Sequence, residues 1–413
     1  DGESEDYYKK DELIATITTD ETGIAKLSDL PLGRYYVKEK ETAEGYVLDG
    51  EIREIDLTYV DQDTAEVTWS GDWQNNRQKV EVSVLKKEKD SDRVLEGAVF
   101  ALSAKEDITN KDGDVVLEAG TVIEEKATGE DGKLTFEADL PIGFSYTVKE
   151  TSPAPGFATT DEVQEFTFTA ESSGKATVSY EFTFEDEPTV FEFTKTSLTT
   201  GEEIEGAKLT VTDENGEIVD EWVSGKEPHI IKELVVGQTY TMTEVLPAPG
   251  YVTAESIQFT VEDTAEVQKI EMKDDVTKVE ISKTDIVGEE LPGAKLTILD
   301  ENGEVVESWT STEEPHYIEM LPIGKYTLHE ESAPEGYLVA EDVAFEVKDT
   351  GEIQKVIMKD EAEPKETPET PQDTTSVDAP QTGDHTNILL WSALFGLGLC
   401  GSVVAVVLRR KRK

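Results

Sequence analysis

Cysteine is all but missing. The single residue, Cys400, lies inside an apolar stretch, so no disulfide can brace the rest of the chain. Basic residues are scarce, 38 against 91 acidic ones, for a formal net charge of -53. That sign argues against nucleic acid as a partner. The acids are spread along the chain and not gathered in one tail, as solvated strand faces require. No amphipathic helical stretch of useful length occurs before residue 388. There is no Ser-His-Asp order, zinc-ligand spacing or phosphate loop, so nothing points to an enzyme or to a cofactor. No secretory leader opens the sequence either: Asp1-Gly2-Glu3-Ser4-Glu5-Asp6 is acidic and polar. A leader was removed, or the sequence begins partway through a longer protein.

What the chain does contain is one pattern four times over. It is Tyr, any residue, an apolar residue, any residue and Glu, then Gly and an aromatic six residues after the Glu. The copies are Tyr35 and Glu39 with Gly45-Tyr46, Tyr146 and Glu150 with Gly156-Phe157, Tyr240 and Glu244 with Gly250-Tyr251, and Tyr326 and Glu330 with Gly336-Tyr337. Around them run short alternating segments such as Gln164-Glu165-Phe166-Thr167-Phe168, with the period of half-buried strands. Asn215-Gly216 and Asn302-Gly303 suit tight hairpins between such strands. The expectation is an all-β chain of tandem sandwich domains, each roughly 80 to 110 residues. With scarcely any linker between them, they form a stiff rod.

A second element sets the boundaries. Three alternating strands end in lysine: Val82-Ser83-Val84-Leu85-Lys86, Phe191-Glu192-Phe193-Thr194-Lys195 and Val279-Glu280-Ile281-Ser282-Lys283. A Gly-Ala pair follows each at ten or eleven residues, and three later strands end in Asp186, Asp274 and Asp360. Complete domains therefore span 78–188, 189–277 and 278–362, and residues 1–77 are a truncated one. In the latter, Asn75 follows Glu39 by 36 residues, the step from Glu150 to Asp186. Glu39 lies too close to the start for a lysine strand, which favours a fragment of a longer protein. Each lysine and aspartate shares a strand face with apolar neighbours, and each glutamate shares the face of its tyrosine. That is the wrong face for a charge unless it is paired or chemically altered. Lys87 adjoins Lys86, and a slip of one residue would exchange their faces.

On these residues the chain from about residue 11 to residue 362 resembles the Cna B-type or SpaA-type domains of Gram-positive adhesins and pilins. The resemblance implies a prealbumin-like β-sandwich in which lysine and Asn or Asp join in a spontaneous isopeptide bond, assisted by the glutamate. Carried onto this sequence, the bonds are Lys86–Asp186 with Glu150, Lys195–Asp274 with Glu244, and Lys283–Asp360 with Glu330. Glu39 and Asn75 lack their lysine. Burial frees the lysine amine and keeps the carboxyls protonated. The glutamate then donates to the partner's carbonyl and shuttles protons, with water leaving from Asp or ammonia from Asn75. The alternative is a buried salt-bridge network with no covalent bond, which leaves several ions desolvated. A Lys195–Asp274 bond would close 79 positions, worth about 4.5 kcal/mol by the chain-entropy account of cross-links.

The C-terminus carries a different signal. Ala379-Pro380-Gln381-Thr382-Gly383 precedes an uncharged apolar stretch, residues 388–408, and then Arg409-Arg410-Lys411-Arg412-Lys413. As a helix the stretch would be about 31 Å long, enough to cross a bilayer core, with its basic end cytoplasmic. The arrangement resembles a sortase sorting signal of the LPXTG type, with Ala379 where Leu is usual. The resemblance implies cleavage after Thr382 and its transfer by sortase to peptidoglycan or a pilus subunit, so the membrane is met only transiently. An ordinary single-pass anchor is the alternative. Residues 363–378, with Pro364, Pro368 and Pro371, read as an extended spacer through the wall.

Weaker candidates remain. His229, His316 and His329 could hold a metal, though a shared ancestral loop explains the first two better. The segment Asn110-Lys111-Asp112-Gly113-Asp114 has a calcium-loop look but the wrong register, and Trp69 with Trp73 is a ligand platform or simple packing. The expected function is a wall-anchored surface stalk of pilin or adhesin type. Two alternatives are a module that binds host matrix or glycans and a stalk that carries an enzyme upstream of Asp1.

Overall fold

Period-two alternation carries through into strands. The computed structural model describes residues 7–364, in which 25 strands form and no helix. The expected sorting signal 379–413, its apolar stretch 388–408 and residues 365–378 of the expected spacer lie outside the described residues.

Three consecutive stretches build the same pair of sheets. In the first, a three-stranded sheet has a lysine strand, Lys79–Glu88, at its centre. An aspartate strand, Thr177–Asp186, runs parallel on one side, and Lys133–Phe136 runs antiparallel on the other. The second sheet orders Val163–Thr167, the glutamate strand Ser145–Ser152, Val99–Ala104 and Val122–Ala127. The next stretch repeats this with lysine strand Val190–Ser197, aspartate strand Val267–Asp274 and glutamate strand Thr239–Leu246. The third uses Lys278–Asp285, Ile353–Asp360 and Gly324–Ser332. Inward residues of both sheets form each core: Val82, Val84, Phe100, Leu102, Val148 and Phe184 in the first, for example. Each such side chain contributes roughly 1.5–3 kcal/mol by leaving water. The Asn-Gly elements close hairpins as expected, with three-residue loops ending in Gly216 and Gly303 at positive φ. Asp213 and Asp300 hold these loops by accepting backbone amides.

The repeated Gly-aromatic pair lies at the joints between stretches. Thr189 donates its amide to Gly156 (3.0 Å) and its hydroxyl to the Leu234 carbonyl (2.7 Å), while Glu233 donates its amide to Thr189 (3.0 Å). Thr277, Gly250, Met320 and Leu321 repeat that pattern. Glu233 and Met320 both sit at φ 63°, a left-handed corner that side chains rarely adopt. A Cβ on Gly156 would lie 2.8 Å from Glu233, which is why only glycine fits. The Asp263 carboxylate clasps the amide and hydroxyl of Thr159 at 2.8 and 2.7 Å, and Asp349 takes the Thr253 amide at 2.9 Å.

The first unit is different. Its described residues form only the two-stranded pair Gly33–Lys38 and Ile52–Leu57. Leu57 is its one buried apolar residue among those described, and no core cluster includes it.

Candidate functional site

Each lysine strand turns its last inward position to lysine. On Lys79–Glu88, Val82, Val84 and Lys86 point inward, whereas Lys87 faces outward, near Asp92 at 3.6 Å. Lys86, Lys195 and Lys283 are no more than 2% exposed. The parallel register places Lys86 opposite Phe184, Lys195 opposite Met272 and Lys283 opposite Met358, so each aspartate is the next inward residue along. In all three, the lysine Nζ donates to Oδ1 of its aspartate. The glutamate arrives from the opposing sheet, with Oε1 at 3.0 Å from Lys86, 3.1 Å from Lys195 and 2.9 Å from Lys283. The structure thus brings together every residue of the three expected trios.

Two devices aim the glutamate. Its Oε2 accepts a backbone amide ten residues on: Thr160 at 2.9 Å, Ala254 at 2.6 Å and Ala340 at 2.6 Å. Directly after each glutamate the ladder slips by one residue, a β-bulge against the strand that follows the Gly-Ala pair. A bulge re-aims a side chain. Sequence reading missed it, since Thr151, Val245 and Glu331 share no residue type; the recurring Gly-Ala opposite was the available signal. Reading also missed why the tyrosine recurs. Tyr35, Tyr146 and Tyr326 donate their hydroxyls to the carbonyls of Pro31, Pro141 and Pro322. A repeated Leu-Pro-x-Gly four or five residues upstream carries that signal.

Electrostatics follow from burial. With all three groups ionised, each triad would carry one cation and two anions in an apolar core. One shared proton makes it neutral, so the two carboxyls compete for it. Desolvation pushes Glu150 up to about 7 and Asp274 up to about 7, against the lysine's opposing pull. Burial likewise raises Asp186 and Asp360. In every triad the aspartate Oδ2 and the glutamate Oε1 are buried without a hydrogen-bond partner. A proton on the glutamate would serve both. Chemically, the amine faces one oxygen of a carboxyl whose other oxygen can leave as water.

In the first unit Glu39 and Asn75 also meet. Asn75 Nδ2 donates to Glu39 Oε2 at 2.7 Å and to the Val47 carbonyl at 2.9 Å, and the Asp49 amide reaches the same Oε2 at 2.7 Å. No lysine pairs with them among the described residues.

Each weaker candidate has local side-chain or backbone partners. His229 stacks on Trp222 at 4.3 Å and bonds Asp220 at 2.8 Å; His316 does the same with Trp309 and Glu307. His329 bonds Asp342. No group of three or more His, Cys, Asp or Glu able to hold a metal occurs among the described residues. Asn110 caps a plain turn by accepting the amides of Asp112 and Asp114. Trp69 and Trp73 pack edge to face at 6.1 Å, with the Arg53 guanidinium 4.2 Å above Trp73.

Four stretches match the SpaA prealbumin-like fold domain: residues 5–73, 80–182, 189–276 and 277–362. No curated protein matches the chain. Among solved structures, the Bacillus anthracis TIE protein is 27% identical, with 76% of this chain and 54% of that one covered and a TM-score of 0.36. The chain therefore spans about half the length of that protein. BcpA, the major pilin subunit of Bacillus cereus, is 14% identical over 69% of this chain and 100% of that one, TM-score 0.30. Shaft pilin SpaA from Lactobacillus rhamnosus GG is 16% identical over 48% and 98%, TM-score 0.22.

Proposed function

Because the chain belongs to the family of SpaA prealbumin-like domains, in four tandem copies, we propose that it is a surface stalk of pilin or adhesin type. In this reading three domains weld themselves through Lys86–Asp186, Lys195–Asp274 and Lys283–Asp360 bonds. The supporting observation is the triad itself: a buried amine donating to a buried carboxyl whose second oxygen has no partner, three times over. Nζ attacks Cγ, the new C–N bond forms, and one carboxyl oxygen leaves as water. The glutamate receives the amine's proton and returns it to the departing oxygen.

The topology gives such a bond its use. Lysine and aspartate strands run parallel, so a pull on the chain shears one past the other. Through the bond, load entering at Val190 crosses from Lys195 to Asp274 and leaves, and the intervening residues bear none of it. The role is structural, not catalytic, since each bond forms once per molecule. Intact mass should fall by about 18 Da, one water, for every bond formed. An unchanged mass, or tryptic peptides carrying free Lys283 and Asp360, would remove the proposal.

Attachment is proposed from sequence alone, because 379–413 lies outside the described residues. In this reading sortase joins Thr382 to peptidoglycan or a pilus subunit. Deleting Ala379 to Gly383 should leave the protein in the membrane fraction; continued wall linkage would rule out the signal.

A further inference from the structure

The joints at Thr189 and Thr277 share a backbone pattern but differ in their side-chain ties. At Thr189, Arg93 of one domain reaches Glu233 of the next through two parallel bonds. Nη1 donates to Oε1 at 2.6 Å and Nη2 to Oε2 at 2.9 Å. The guanidinium also lies 5.3 Å from the ring centre of Phe157, the aromatic of the Gly-aromatic pair. Asp263 adds two more bonds, to the amide and hydroxyl of Thr159. Beyond the threonine pattern common to both joints, four side-chain hydrogen bonds cross this one.

The Thr277 joint keeps the pattern and loses most of the ties. A backbone bond identifies the counterpart of Arg93: the Glu88 amide donates to the Arg93 carbonyl, and the Ser197 amide to that of Glu202, each at 2.9 Å. An exposed acid, Glu202, therefore stands where the other joint has arginine. Met320 stands where it has Glu233, at the same φ of 63°. A carboxylate and a thioether make no ion pair. Lys278 bonds Asp275, three residues back, at 2.7 Å, which ties the connecting segment only to itself. Among the described residues one further side-chain bond crosses the joint, from the Thr253 amide to Asp349 at 2.9 Å.

We infer that residues 78–188 and 189–277 move as one body, latched by Arg93 on Glu233, and that the chain bends at Thr277. Adjoining domains move against each other unless their interface holds them. A bidentate arginine–carboxylate pair fixes distance and orientation together, whereas a single bond leaves a pivot. The Thr277 backbone bonds and the close approach of Gly250 to Met320 form that pivot. The hydrogen bonds from Arg93 hold the Glu233 carboxyl below the usual glutamate range, so the latch stays charged at neutral pH. Being electrostatic and partly exposed, it weakens as salt screens it.

The test uses the 413-residue chain with Cys400→Ser and spin-labelled cysteines introduced in pairs at Glu125, Glu221 and Ser308. These exposed positions match in the three domains. Distances from pulsed electron resonance should be about half as spread for the 125/221 pair as for the 221/308 pair. Arg93→Ala, or salt at about 1 M, should widen the first distribution about twofold and leave the second unchanged. Met320→Arg, which supplies Glu202 with an opposite charge, should narrow the second, and Met320→Glu should not. Equal spreads in the two parent pairs would overturn the inference. So would a first distribution indifferent to Arg93→Ala, or a second indifferent to Met320→Arg, because the ion pair would then hold nothing.

Discussion

The first unit and the domain after it hold the same glutamate by the same device, an amide ten residues downstream, at 2.7 Å for Glu39 and 2.9 Å for Glu150. They differ in what they assemble: the described residues of the first unit pair two strands, and residues 78–188 form nine. With the lysine strand present, residues 78–188 assemble two sheets and a core of 19 buried apolar residues. Among the described residues of the first unit a single two-stranded pair forms, and no core cluster. The central strand of a small sheet is therefore structural before it is reactive. It creates the low dielectric that raises the carboxyls, and it delivers the amine to the same place.

The largest expected effect of breaking that comparison is Lys195→Met. It should cost the domain 189–277 on the order of 4 kcal/mol, the worth of closing so long a loop, read by chemical denaturation. Asn75→Ala removes hydrogen bonds to Glu39 and to the Val47 carbonyl and should cost only about 1 kcal/mol.

A pH titration of that same Lys195→Met variant sharpens the contrast. Asp274 is raised by burial, and removing the lysine removes a pull that lowers it. The folded state then holds the proton longer than the unfolded chain does. Stability is full below about pH 4, the unfolded carboxylate value. It falls as pH climbs toward and past about 7. A wild-type domain linked as proposed should be flat over this window, since an amide does not titrate. An equal fall in the two proteins would mean that Asp274 titrates in the wild type and that no Lys195–Asp274 amide forms.

The smallest effect separates filled from open joints. Gly156→Ala meets Glu233 and should cost roughly 2 kcal/mol or more, adding a backbone clash to the strain of a positive φ. At Gly336 nothing lies within 4 Å, so Gly336→Ala should cost only about 1 kcal/mol. Differential scanning of both variants decides it, and equal losses would mean that the glycine serves its own turn and no joint.

Much of this was legible in the residues. Val82, Val84 and Lys86 announce a strand face, and the fixed step from Glu39 to Asn75 and from Glu150 to Asp186 announces a shared partner. The Lys86 or Lys87 question was not legible, because period two allows either until the parallel register with Phe184 fixes it. Trp222 beneath His229 was equally hidden, since stacking across two strands leaves no periodic trace. In the third unit Val235 replaces the proline of Leu-Pro-x-Gly, and its freed amide donates to Tyr240 at 3.2 Å while that hydroxyl turns to Gln238. Only packing shows the exchange.

By itself the sequence determined the repeat, the all-β class and the identity of each lysine, glutamate and aspartate, because alternation assigns faces residue by residue. Tertiary structure decided what those faces meet: which oxygen the amine touches, which one is left alone, and where Gly156 presses on the next domain. Proximity across sheets depends on register, bulges and joints, and these emerge only when the strands pair.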